Sequence, residues 1–418
     1  MKAIQITGPN TLDGEVNVQG SKNAALPILA ATVMIPGISI LHNCPKIADI
    51  YHMISILEHM GCRITWEGHS LIVDAFHIKE TKLPRNYVKA MRSSVVLMGP
   101  LLARCGEVHL YYPGGCVIGA RPIDIHQSAL EKLQVSFETG EDEIFAEAKV
   151  LIGNEINLVF PSVGATQNTI LAAVLANGRT VIRGGSIEPE VTGLVSFLNK
   201  AGADIVLNKK NEYVIEGVKR LYGTEYRIVS DRIVAGTYLM AGVATKGKVL
   251  LHHAPVEQLS KVLEILKEMG AEVIINGNDI YLHAAQCVKP LVYLETSVYP
   301  GFPTDLQSPL MSVLTTAVGI SRVRERIFED RFGVAGELNK MGADIRIDGN
   351  TASICGVHHL YGNKVEAKEL RGGAALVVAG LCALGETTIF GATFIERGYE
   401  DICEDISMLG GKIANLEV

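Results

Sequence analysis

The segment Pro113-Gly114-Gly115-Cys116-Val117-Ile118-Gly119-Ala120-Arg121-Pro122-Ile123-Asp124-Ile125-His126 combines a thiol, a guanidinium, a carboxylate and an imidazole within one glycine-rich stretch. A cysteine near an arginine is expected to ionise more readily than a free thiol, and the thiolate is its reactive form. Glycines at 114, 115 and 119 permit backbone conformations that other residues resist, which suits a loop that closes over a ligand. An ordinary cysteine is one more small apolar residue. The flanking glycines and Arg121 set Cys116 apart as a candidate reactive group.

Further candidates lie where helices are expected to begin. They are Ser21-Lys22-Asn23, Arg92-Ser93-Ser94, Ser162-Val163-Gly164-Ala165-Thr166, Ser230-Asp231-Arg232, Thr304-Asp305 and Leu370-Arg371-Gly372-Gly373. A helix N-terminus offers free N–H groups and the positive end of a dipole, and several of these starts add a cation. Arg331 and Arg397, like Cys116 and Arg121, fall in strand-to-helix loops. A lone surface arginine is usually a solvated ion pair. Cations recurring in matching loops of an acidic chain predict a site for polyanionic ligands. Asp305 has two local readings, a helix cap or a general base.

The elements that position these groups repeat. Apolar residues, a glycine and a β-branched run recur as Leu57 to Ile64, Leu198 to Ile205, Leu266 to Val273 and Leu338 to Ile345, with weaker copies at Leu130 to Phe137 and Ile406 to Ile413. The spacing of about 70 residues exceeds that of solenoid repeats, so each unit is a supersecondary fold of its own. A glycine there ends a helix in a left-handed cap before the chain turns into a strand. Each unit reads helix, strand, loop, helix, hairpin, with the first helix rich in small residues, as in Thr166 to Ala176 and Gly373 to Ala383. The sixth copy is one strand short at Val418, and Ala3 to Thr7 is the expected missing strand. Both termini then belong to one domain, 1–20 with 230–418, and 21–229 form an inserted domain carrying the Cys116 loop. Two crossings make a hinge, and a ligand is expected in the cleft.

Composition narrows the function. The 418 residues are 48% hydrophobic and 20% charged, with a net charge of −7. That disfavours non-specific nucleic-acid binding. The N-terminus lacks a signal-peptide pattern, and the apolar runs 24–41 and 95–103 are broken or short, which predicts a cytoplasmic protein with no membrane span. Eight cysteines form no Cys-x-x-Cys pair, so neither a zinc site nor a disulfide framework is expected, and no metal or other cofactor. Cys62, Cys355 and Cys382 are expected in the core.

The Cys116 loop, Gly20-Ser21-Lys22-Asn23-Ala24-Ala25, Phe160-Pro161-Ser162-Val163-Gly164-Ala165-Thr166, Phe302-Pro303-Thr304-Asp305-Leu306-Gln307 and Arg397-Gly398-Tyr399-Glu400 together resemble the enolpyruvyl transferases that act on UDP-N-acetylglucosamine. The likeness runs essentially end to end, and the related shikimate-pathway enzymes lack the cysteine loop. It implies an α/β fold, a two-domain inverse α/β barrel of six βαβαββ-like repeats, with the active site in the interdomain cleft. It also implies a transferase of peptidoglycan synthesis that moves enolpyruvate from phosphoenolpyruvate to the sugar 3-hydroxyl. By the same resemblance Cys116 is a lid thiol, alkylated by fosfomycin, that protonates or adds to phosphoenolpyruvate. Lys22, Arg121 and Arg397 would hold the phosphate, and Arg92, Arg331 and Arg371 the carboxylate and developing charge. Asp305 would take the hydroxyl proton and Asn23 would position the sugar, with Ile327 also in contact with substrate. Pro122, Asp124, Ser162, Val163 and Gly164 would line the uridine-diphosphate pocket.

The chain departs from the family pattern at Gly333-Val334-Ala335, at Phe394 and Glu396 before Arg397, and at Arg326. Two alternatives follow: a paralogous enolpyruvyl transferase with another acceptor, or a non-catalytic binder of UDP-sugar.

Overall fold

The computed structural model of the chain describes residues 2–114, 118–119, 122–284 and 286–417. The chain forms two compact units. One holds the residues up to Gln19, Ile118 and Gly119, and those from Ser230 on; the other holds Gly20 to Gly114 and Pro122 to Val229. Ile118 and Gly119 thus group with the first unit, although Gly114 and Pro122, the nearest described residues on either side, belong to the second. Each unit has its own hydrophobic core.

Among the described residues, the first unit contains three four-stranded sheets, and the second contains two of four strands and one of three. The repeat is visible in each. In the second unit, strand Glu155–Asn157 leads to helix Val163–Ala173 and then strand Arg179–Arg183, followed by helix Pro189–Lys200 and the hairpin Asp204–Leu207 with Tyr213–Glu216. The first two strands pair in parallel, and the hairpin adds to them antiparallel. A parallel pair needs a crossover connection, and the small-residue helix supplies it.

These crossover helices are buried nearly all round. In the first unit, every residue of Arg232–Ala244 and all but two of Leu370–Cys382 are buried. They pack on one another and on Gln307–Leu314, because alanine and glycine let the backbones approach. The strands instead alternate buried and exposed residues, as in Lys248–His252. Helices therefore fill the centre of each unit and half-buried sheets face the solvent, the inverse of the usual order.

Strand Lys2–Gly8 lies between Gly385–Phe390 and Ile413–Glu417, antiparallel to both, and completes the sixth hairpin. Where the chain passes between units, each sheet recruits a distant first strand. Asp13–Asn17 pairs in parallel with Lys248–His252, and Glu225–Arg227 with Ile38–His42.

The helix-end signature has the expected geometry. Gly61, Gly202, Gly270, Gly342 and Gly410 have φ between +87° and +108°, and the remaining copy, Leu130 to Phe137, holds Gln134 at φ +74°. That exposed glutamine pays a steric penalty that glycine avoids. Gln134→Gly should raise the stability of the second unit by about 1 kcal/mol, read as an upward shift of its thermal unfolding midpoint. An unchanged or lower midpoint would contradict the cap assignment.

Some expected boundaries shift. The helix read as Thr166 to Ala176 runs from Val163 to Ala173, and that read as Gly373 to Ala383 runs from Leu370 to Cys382. In both, a polar cap sets the start: Ser162 accepts from the Ala165 N–H, and Glu369 from the N–H groups of Arg371 and Gly372. Cys62 is buried, whereas Cys355 and Cys382 are only partly so. No helix among the described residues is long and apolar enough to cross a membrane.

Candidate active site

In the first unit, helix packing brings expected residues together. Arg232 and Arg371 stand at the starts of two core helices, and Asp305 lies in the 3-10 turn Thr304–Leu306 leading into the third. Arg331 follows strand Ile320–Arg324 in its loop. The Asp305 carboxylate accepts from Arg331 Nη2 at 2.5 Å and from Arg371 Nη2 at 2.9 Å. Both arginine side chains are almost fully buried, at 2% and 4% exposure, whereas that of Asp305 retains 27%.

This geometry removes one of the two readings of Asp305, the helix cap. Its side chain makes no cap hydrogen bond; it is a carboxylate gripped by two guanidinia. Burial alone would raise its pKa, but Arg371 and Arg331, with Arg232 behind them, hold it well below the usual carboxylate range. Asp305 and neighbouring groups conversely hold Arg371 charged against the cost of its burial. Arg371 Nη1 is buried and has no hydrogen-bond partner among the described residues. A buried guanidinium with an unsatisfied donor beside a carboxylate is suited to an anionic ligand.

Glu325 braces this arrangement. Only 2% exposed, it accepts from Thr304 Oγ1 at 2.9 Å and from the N–H groups of Ile327 at 2.7 Å and Phe328 at 3.2 Å. One carboxylate thus fixes both the turn that carries Asp305 and the half-buried Ile327. Glu369 lies 3.9 Å from Arg331 while capping the helix of Arg371. The Asp330 N–H donates to Ile118 O at 3.2 Å, next to Arg331 in the chain. Arg397, half-buried, follows the short helix Ala392–Ile395.

The second unit presents another set of helix starts. Ser21 caps helix Lys22–Thr32, so Lys22 and Asn23 occupy its first two positions. Lys22 Nζ lies 2.6 Å from Asp49 Oδ2, with both side chains buried. Arg92 opens the 3-10 helix Arg92–Leu97, which packs against Lys22–Thr32 and Val163–Ala173.

Ser162, Val163 and Gly164 form the capped start of that last helix, with Val163 exposed. A Cβ at Gly164 would lie 3.0 Å from His126 Cε1, so glycine permits the helix to approach the ring. Asn168 fixes the imidazole. Its Oδ1 accepts from Gly99 N–H, so its Nδ2 donates to Val95 O and to His126 Nδ1 at 2.8 Å. Pro122 is exposed, and exposed Asp124 opens the adjoining helix Asp124–Glu131. Cys116 and Arg121 lie outside the described residues.

Two of the departures from the family pattern, Glu396 and Arg326, form surface ion pairs. Glu396 pairs with Lys2 at 2.7 Å and Arg326 with Glu295 at 3.3 Å. Exposed pairs of this kind contribute little to stability. No group of three or more potential metal-ligating side chains occurs among the described residues.

Asp49, Glu325 and Glu369 are absent from the set read from the sequence. Glu369 had a local signal, an acidic residue two positions before an arginine at a helix start. Asp49 and Glu325 had none, since their partners are distant in sequence. Arg232 was visible as a cation at a helix start, but its place beside Asp305 depends on the three-helix packing.

Comparison with known proteins gives the same class. The family model for EPSP synthase (3-phosphoshikimate 1-carboxyvinyltransferase) matches residues 6–406. The enolpyruvyl transferase NikO from Streptomyces tendae superposes with a TM-score of 0.90, covering 100% of this chain and 99% of that one at 24% identity. EPSP synthase from Acinetobacter baumannii gives 0.77 at 19% identity, with both chains fully covered. The fold is thus that of the enolpyruvyl transferases. UDP-N-acetylglucosamine 1-carboxyvinyltransferase 2 of Caldanaerobacter subterraneus subsp. tengcongensis is 47% identical over 416 residues, covering all of both chains. Its counterpart in Carboxydothermus hydrogenoformans is 43% identical over 415 residues and covers 99% of both. The chain belongs to the UDP-N-acetylglucosamine 1-carboxyvinyltransferase family.

Proposed function

We propose that this protein transfers the enolpyruvyl group of phosphoenolpyruvate to the 3-hydroxyl of UDP-N-acetylglucosamine and releases phosphate, as a cytoplasmic enzyme of peptidoglycan synthesis. The observation that carries this reading is Asp305 held between Arg331 and Arg371, with Arg371 Nη1 lacking a hydrogen-bond partner among the described residues. Arginine forks bind carboxylate and phosphate, and a carboxylate beside them can take a hydroxyl proton.

The reaction runs by addition and elimination. A proton is delivered to C3 of the enol and the sugar oxygen bonds to C2, giving a tetrahedral ketal. The C2–O bond to phosphate then breaks, C3 loses a proton and the double bond reforms. Charge develops on the phosphate and around C2. Fixed cations supply the stabilisation, because they need no reorganisation as the charge appears. In this scheme Arg331, Arg371 and Arg92 meet the carboxylate and developing charge, while Lys22, Arg121 and Arg397 hold the phosphate. Cys116 serves the enol as proton donor or nucleophile. Asn23, Ile327, Pro122, Asp124 and the Ser162–Gly164 helix start hold the nucleotide sugar.

The ion pairing of Asp305 has a consequence for its role as base. While two guanidinia neutralise it, the carboxylate is a weak base. An anionic substrate that draws on the same guanidinia weakens their hold and raises its basicity when the sugar hydroxyl is present.

Phosphate release tests the reading directly. Inorganic phosphate should appear only when phosphoenolpyruvate and UDP-N-acetylglucosamine are both supplied, one per sugar converted. Turnover with another acceptor but not with this sugar would assign a different transferase. Binding of both ligands with no phosphate released under any condition would make the protein a non-catalytic binder.

A further inference from the structure

Arg397 sits on a turn whose geometry is fixed from outside by one amide. Gln19 Nε2 donates to Gly398 O at 3.2 Å, and Gln19 Oε1 accepts from the Glu400 N–H at 2.9 Å. The backbone of Gln19 is anchored as well, since its carbonyl accepts from the Asp231 N–H at 2.8 Å. Asp231 in turn caps the core helix that begins at Arg232. All these residues belong to the first unit.

An amide side chain carries a donor and an acceptor a fixed distance apart, so it can bridge a carbonyl and an N–H two residues away. A carboxylate could not donate to Gly398 O, and a hydrocarbon would satisfy neither group. The turn is also held on its other sides. Tyr399 OH lies 2.8 Å from Thr237 Oγ1 on the same core helix as Arg232. A Cβ at Gly398 would lie 2.7 Å from Leu370 Cδ2, so this backbone packs on the residue before Arg371. The clamp thus ties the Arg397 turn to the two helices that carry Arg232 and Arg371.

We infer that Gln19 is a positioning residue that sets the Arg397 turn for binding the phosphate of the substrate. This rests on the proposed function in assigning that phosphate to phosphoenolpyruvate. Gln19 itself touches no reacting atom in this scheme; it acts through the backbone at 398 and 400.

The test compares the wild-type protein with Gln19→Met, which keeps length and loses both hydrogen bonds, and Gln19→Glu, which keeps only the acceptor. Loss of two hydrogen bonds at a preorganised turn should raise the KM for phosphoenolpyruvate about tenfold. The KM for UDP-N-acetylglucosamine should stay within about twofold, since that change falls below one lost hydrogen bond. Thermal protection by inorganic phosphate alone should weaken in parallel, with Gln19→Glu changing in the same direction.

A lower melting temperature in both variants with unchanged phosphoenolpyruvate KM and unchanged phosphate protection would reduce Gln19 to a structural tie and overturn the inference. Equal rises in both KM values would overturn it too. If the wild-type protein releases no phosphate with any acceptor, the enzymatic reading fails, and the phosphate protection series alone decides the role of Gln19.

Discussion

Asp305→Asn should lower kcat by about 10²- to 10⁴-fold, the usual contribution of a positioned general base. The substitution is nearly isosteric but keeps an acceptor for only one of the two guanidinia, since Arg331 bonds Oδ1 and Arg371 bonds Oδ2; both arginines remain for substrate, so the KM for either substrate should change less than kcat. The variant also takes a counter-charge from two buried guanidinia, of which Arg331 keeps a second carboxylate, Glu369, at 3.9 Å. Loss of one partner from a buried ion pair costs about 3 kcal/mol or more, and a lower melting temperature should accompany the kinetic loss.

The pH dependence of that stability difference has a definite sign. Asp305 is depressed in the folded state by Arg371 and Arg331 acting against its burial. Its contribution is complete above the unfolded carboxylate value of about 4 and is lost as pH falls through the lower folded value. The wild-type and variant curves should therefore run parallel from neutral pH down to about 4 and converge only below it. A variant that kept more than a tenth of wild-type kcat at neutral pH would remove Asp305 from the role of base.

Lys22→Met should cost about 10³-fold in kcat/KM, with a large share in the KM for phosphoenolpyruvate. One desolvated charge-assisted contact to a phosphate has about that worth. It should also destabilise the second unit by about 3–5 kcal/mol, because the Asp49 carboxylate stays buried after its cation is removed. The double variant Lys22→Met with Asp49→Asn separates these effects. It should recover much of the melting temperature, since the uncompensated charge is gone, and none of the activity. Recovery of activity along with stability would show that Lys22 serves only to neutralise Asp49.

The repeat, the buried small-residue helices and the strand supplied by the N-terminus were legible because each has a local signature: a helix-ending glycine, a run of alanines, a missing hairpin partner. The cations at helix starts were legible for the same reason. The partners of those cations were not. Lys22 shows its charge in the sequence, but Asp49 sits on a different helix, and nothing near either residue announces the other. Glu325 reads locally as one charge among several in Arg322-Val323-Arg324-Glu325-Arg326. Only the fold turns it inward to hold Thr304 and Ile327. Gln134 was visible as the odd residue in a glycine column, and the structure adds its backbone strain. The spans Thr166 to Ala176 and Gly373 to Ala383 begin three residues inside their helices, because small residues mark a helix interior, whereas the caps Ser162 and Glu369 mark the beginnings.

The pairing of strand Lys2–Gly8 with Gly385–Phe390 and Ile413–Glu417 sets the order in which this chain can mature during synthesis. Strand Lys2–Gly8 belongs inside a sheet whose other members are synthesised only after the whole of the second unit. Asp13–Asn17 must likewise wait for Lys248–His252. The second unit has every strand it needs once Arg227 has emerged. It can close while much of the first unit is still untranslated. Until then Lys2–Gly8 and Asp13–Asn17 lack the partners of their own sheets and stay exposed as edges for chaperones or for other copies of the chain.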